Sequence, residues 1–167
     1  IVFYKEMGFS KGDIALYSKG IGWITTVVFT LLGGLFAIRA GVVKAMFIAG
    51  VLMAATNLLF AALFWTGKSE LLFAAAVLLD DIAAAFATVA FVAFISLLVD
   101  RTYTATQYAL LASIGTLGRT TLAASSGELV DWLNGDWGIF FVITTVMVIP
   151  SLICLWIIRN KLKLSAK

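Results

Sequence analysis

The sequence predicts an all-α fold, a polytopic bundle of membrane-spanning helices, and three observations carry that expectation. Hydrophobic residues make up 62% of the 167 and charged residues only 13%, with a mean hydropathy of +1.07, far outside the usage of soluble domains. The apolar residues gather into five unbroken runs separated by short polar stretches. None of these runs alternates polar with apolar residues over about ten positions, as a barrel strand does. The net charge of +3 is spread over loops and a tail rather than one solvated face, so lipid headgroups and not nucleic acid are the expected partner.

A bilayer core of about 30 Å needs roughly 20 apolar helical residues, and the five runs meet that length in order. They are Ile14–Ile38, Ala45–Trp65, Leu71–Val99, Gln107–Val130 and Gly138–Ile158. The connections "RAGVVK", "TGKSE", "DRTYTAT" and "DWLNGDW" are too short to hold a soluble domain. The opening "IVFYKEMGFSKGD" reads as the exit of an earlier helix and a loop, residues 1–13, and residues 160–167 as a basic tail. With Ile rather than Met first and no signal-peptide pattern, the chain reads as the end of a larger protein. Pro150, inside the last run, predicts a kink because it removes a backbone donor. The lone Cys154 fits packing and cannot form an intrachain disulfide.

Orientation follows from the loops. Arg39, Lys44, Arg101, Arg159, Lys161, Lys163 and Lys167 gather on one side with Asp100 alone among acids. Lys5, Lys11, Lys19 and Lys68 share the other with six acids. The positive-inside rule makes the first side, and with it the C-terminus, cytoplasmic. The five tryptophans fall mostly near run ends, where interfacial anchors belong.

The candidate functional residues are those that lipid rejects. Asp80 and Asp81, in "VLLDDIAAAF", sit about 14 Å from one end of their run, and Arg119 about 18 Å from the opposite end of the next. Equal depths on antiparallel helices predict an ion pair. Adjacent residues point about 100° apart, so one aspartate is expected to pair with Arg119 while the other faces a cavity and exchanges a proton. Asp81, Ala84 or Ala85 and Thr88 form one slim stripe, and Ser113, Thr116, Thr120, Ala124 and Gly127 another. Such stripes serve close helix packing or line a polar cavity. Asn57 lies mid-run, suited to an interhelical hydrogen bond or a substrate contact, and Lys19 lies within snorkelling reach of the surface. No His is present, and neither a P-loop nor a serine–histidine pair occurs. The expectation is no catalytic residue, no metal and no enzyme.

The stretch "YTATQYALLASIGTLGRTTLAASSGELVD", Tyr103 to Asp131, resembles the tenth-to-eleventh helix region of AmpG-type muropeptide permeases of the major facilitator superfamily. "GFSKGDIALYSKGIG", "GGLFAIRAG" and "AFVAFISLL" resemble further parts of that family. In the cytoplasmic turn Gly34, Arg39, Gly41 and Lys44 match the superfamily pattern, but Ile38 stands at its acidic position. The resemblance implies the C-terminal six-helix half of a twelve-helix transporter, helices eight to twelve lying within residues 14–159, with an N-terminal half as partner. It implies proton-driven import, across the bacterial inner membrane, of N-acetylglucosaminyl-anhydro-N-acetylmuramic acid and its peptides. No cofactor is implied beyond the proton gradient. Asp80-Asp81 stands where family members carry an acidic-polar pair, and the following "IAAAF" lacks their glycines, so the substrate can differ; related permeases carry siderophores. Arg119, Gln107 and Lys19 match family positions, which makes the cations candidates for pairing with peptide carboxylates and Gln107 a candidate for the substrate or for a helix start. A non-transporting half-permease is the other expectation the residues leave open.

Overall fold

The computed structural model describes residues 2–8, 22–99 and 104–165, with the isolated positions 10, 12, 15 and 20. Six helices run through the described residues: α1 (Val2–Glu6), α2 (Gly22–Ala40), α3 (Val42–Thr66), α4 (Glu70–Leu98), α5 (Thr104–Trp132) and α6 (Trp137–Ser165). Turn chemistry sets their limits. Gly41 (φ 92°) and Gly67 (φ 83°) bracket α3 in a conformation that L side chains rarely adopt. Ser69 caps α4 by accepting from the Leu72 N–H at 3.4 Å. At the α5–α6 turn Asn134 and Gly135 both take positive φ, the Gly135 N–H returns to the Val130 carbonyl at 3.0 Å, and the Asp136 carboxylate receives the Ile139 N–H at 3.0 Å. This Gly-then-Asp order is a helix stop followed by a helix start.

α3 is the centre of the bundle, packed along α4 on one side and α6 on the other, with α2 laid against α4. The two ends are filled differently. At one end Ala37, Ala45, Ala49 and Ala90 are buried together against Phe36, Met46 and Phe86, small residues that let three helix backbones approach. At the other end Phe3, Phe60, Leu63, Phe73, Ala76 and Val77 form the core, with Tyr4, Trp137 and Phe141 against it. Here α1 lies inside an aromatic cluster: Phe3 meets Phe141 edge-on at 5.1 Å and Tyr4 meets Phe73 edge-on at 5.0 Å. Glu6 accepts a hydrogen bond from the Trp137 indole, and Lys68 donates to the Gly8 carbonyl at 2.9 Å.

Four helices, Gly22–Ala40, Val42–Thr66, Glu70–Leu98 and Trp137–Arg159, are long and apolar enough to cross a membrane. The expected first run starts at Ile14, and the part ahead of Gly22 lies largely outside the described residues. α5 is as long as α4, 29 residues, but its hydroxyls, Gln107 and Arg119 leave it short of that apolarity. It is also the helix with the least burial, Val130 alone being buried. α6 passes through Pro150 without ending, and Cys154 is exposed on its surface. Trp23, Trp65, Trp132 and Trp156 are exposed near helix ends, in keeping with interfacial anchoring.

Close approach of α6 to α3 depends on Gly138. A Cβ built there stands 2.5 Å from the Trp65 indole nitrogen and 3.1 Å from Phe64. Gly138→Val is therefore expected to destabilise the bundle by about 1–3 kcal/mol, read as a lower midpoint of thermal unfolding in detergent. Gly127→Val, where a Cβ meets nothing within 4 Å, is expected to leave the midpoint unchanged.

Candidate functional site

Mid-bundle, α4 carries its two acids against α3. Thr56, 3% exposed, has its hydroxyl 3.0 Å from the Met53 carbonyl and 3.3 Å from Asp80 Oδ1. One hydroxyl hydrogen serves two acceptors, so Thr56 donates to one of them at a time. Asp80 also lines a cavity of about 350 Å³ with Tyr4, Asn57, Phe60, Ser126 and Phe141 among its walls. Asn57 thus opens into the same space as Asp80. Asp81 points elsewhere, as the 100° step between neighbours requires, and its Oδ2 is buried with no hydrogen-bond partner among the described residues.

The expected ion pair with Arg119 does not form. Arg119 is exposed, and no ion pair joins it to either aspartate among the described residues. The register of α4 against α5 gives the reason. Asp80 shares its cavity with Ser126, and a Cβ at Gly115 meets the Phe91 ring at 2.6 Å, two contacts that fit one antiparallel register. In that register Arg119 stands level with Ala87, about 10 Å along the axis from Asp80. Counting Asp80 from one end of its run and Arg119 from the opposite end assumed that the two ends stand one bilayer core of about 30 Å apart, whereas α4 is 29 residues long, about 43 Å.

Of the remaining candidates, Thr88, Gln107 and Thr116 are not among the residues that line the cavity at Asp80. Thr88 and Thr116 are exposed and donate to their own helix at Ala84 and Ala112, each at 2.8 Å. Thr116 lines a shallow depression of about 450 Å³ with Ser113 and Thr120, so three members of the α5 stripe face one open concavity away from Asp80. Gln107 is half-buried in the first turn of α5, and Lys19 lies outside the described residues. Sequence reasoning missed Thr56 and Ser126. The first stood beside Asn57 as a second polar residue in an apolar run, and the second lay one position off the stripe.

A buried carboxyl oxygen left without a partner disfavours folding by roughly 1–3 kcal/mol. Asp81→Ala is therefore expected to raise the midpoint of thermal unfolding of the intact protein, measured in detergent. A lower midpoint would show that this oxygen has a partner it depends on.

Helices of membrane-spanning length and apolarity, with acids held inside them and a polar cavity between them, define a multi-pass membrane protein. Comparison with known proteins makes this specific. The chain is 34% identical over 162 residues, 95% of its length, to a protein of Rickettsia conorii bearing the transporter name AmpG 4. It is 31% identical over 159 residues to the anhydromuropeptide permease of Escherichia coli K12 and 30% identical over 161 residues to a second Rickettsia conorii protein bearing the name AmpG 1. Over at least 95% of its length the chain is related to the AmpG-type permeases. It spans 38%, 32% and 38% of the length of these three relatives. No family model and no solved structure matches it.

Proposed function

We propose that the chain is the C-terminal six-helix half of a proton-coupled secondary transporter that imports cell-wall recycling fragments. Its substrate is N-acetylglucosaminyl-anhydro-N-acetylmuramic acid and the peptides attached to it, and its membrane is the bacterial inner membrane, with the C-terminus cytoplasmic. The observation that carries this reading is similarity along 95% of the chain to a protein named anhydromuropeptide permease. The orientation rests on the seven basic residues gathered on one side.

Asp80 is the proton-linked acid in this account. It meets the cavity, so water and protons reach it, and Thr56 couples its charge to the backbone. With a proton on Asp80, its O–H donates to the Thr56 oxygen while the Thr56 hydroxyl donates to Met53. Without that proton, the hydroxyl turns to the carboxylate and releases Met53. The change of partner gives α3 two arrangements, the element a proton-driven conformational cycle needs. The hydroxyl stripe of α5 supplies a second polar wall for a sugar, and Arg119 a cation for peptide carboxylates. Lys19, Asn57, Thr88, Gln107 and Thr116 are the further substrate contacts proposed. No cofactor takes part; the proton gradient is the energy source.

The test is uptake of a labelled anhydromuropeptide by cells that lack their own permease and produce the intact protein. Accumulation abolished by a protonophore supports the reading. Absence of uptake by well-inserted protein overturns it for this substrate, and siderophores become the next solute to assay.

A further inference from the structure

We infer that the groove between the start of α3 and the end of α6 is a binding site for an anionic phospholipid. The groove has a volume of about 400 Å³ and is lined by Val43, Lys44, Phe47 and Ile48 from α3 and by Leu155, Trp156 and Arg159 from α6. Its floor is apolar and open to the outside of the bundle: Phe47 is 38% and Trp156 54% exposed. An acyl chain fits such a floor at no polar cost. Its mouth is basic. The Arg159 guanidinium lies 4.5 Å from the centroid of the Trp156 ring, which holds this cation at the groove by cation–π attraction. Lys44 stands on the other wall, in the first turn of α3, where the structure gives no side-chain cap and no acidic residue. Two cations and the positive end of a helix thus face one opening, and no acid is among the lining residues.

Location selects the occupant. Lys44 is the third residue of the span Val42–Thr66, and Arg159 ends the span Trp137–Arg159, so both cations stand at one membrane–water interface. A phosphate at that level bonds the cations while its acyl chain descends along Phe47 and Leu155. A zwitterionic headgroup matches the pair less well, because its own cation faces the same two charges. Basic pockets between spanning helices are suited to anionic headgroups for this reason. The site lies about 13 Å or more along α3 from Asn57, so it is separate from the cavity at Asp80 and independent of the transported solute.

Native mass spectrometry of the intact protein in detergent, with dioleoyl phosphatidylglycerol and dioleoyl phosphatidylcholine supplied in equal amounts, tests the inference. Wild type is expected to retain the anionic lipid in preference by about thirtyfold, the product of two basic residues acting on one anionic headgroup. Lys44→Gln with Arg159→Gln is expected to lose the preference, and Lys44→Arg to keep it. Lys44→Gln alone, at an exposed position, is expected to lose about fivefold and serves if the double variant does not fold. Equal retention of both lipids by wild type, or a preference unchanged in the Lys44→Gln variant, would overturn the site. Displacement of the bound lipid by millimolar inorganic phosphate would also overturn it, since the headgroup anion alone would then account for binding.

Discussion

Asp80→Asn in the intact protein is expected to insert and fold as wild type does, yet to take up no more anhydromuropeptide than wild-type cells treated with a protonophore. Asn has nearly the shape of Asp and keeps an oxygen for the Thr56 hydroxyl, which stands 3.3 Å from Asp80 Oδ1. What it lacks is the exchangeable proton. The substitution therefore separates the two parts of the side chain's role: packing against α3 survives, and the change of hydrogen-bond partner between Met53 and Asp80 does not. Uptake by the Asn variant that remains sensitive to the protonophore would move the proton-linked role away from Asp80, with Asp81 the next acid to replace.

Phe73→Ala is expected to produce the largest loss of stability. Phe73 is fully buried, belongs to the core with Phe3, Phe60 and Leu63, and meets the Tyr4 ring edge-on at 5.0 Å. In a membrane the transfer part of a large-to-small change shrinks, because lipid is as apolar as the side chain removed. The cavity part remains. A void of roughly 100 Å³ at about 24 cal/mol per Å³ amounts to about 2–3 kcal/mol. Thermal unfolding in detergent checks it, and the loss is expected to loosen α1, which Phe73 holds through Tyr4. Leu71→Ala, two residues earlier and 84% exposed, is expected to leave the midpoint unchanged.

These residues show what was legible beforehand and what was not. The helices were legible because lipid demands long apolar runs and polar punctuation, and "TGKSE" and "DWLNGDW" carry their own turn chemistry: Gly67 and Gly135 adopt positive φ, and Ser69 and Asp136 start the helices that follow. Asp80 was legible because an acid in such a run needs a reason to be there. Its partner was not. Depths taken from opposite ends of two runs agree only when each run is as long as the bilayer core is thick, and the 29 residues of α4 reach about 43 Å, which displaced Arg119 from Asp80. The aromatic cluster around α1 was hidden for another reason. Phe3 meets Trp137 and Phe141, contacts across nearly the whole chain that no local pattern encodes.

The lipid groove illustrates the same limit from the other side. Lys44 and Arg159 read as two members of a basic rim. Only the packing of α3 against α6 places them on one groove with an apolar floor.

The proposed function links movement of a muropeptide to protonation inside this bundle. The most direct test is proton flux in proteoliposomes of the intact protein, followed with a pH-sensitive dye after addition of N-acetylglucosaminyl-anhydro-N-acetylmuramyl tripeptide. Alkalinisation of the side to which substrate is added is expected, in wild type and not in Asp80→Asn. Entry of the tripeptide with no accompanying pH change would contradict it.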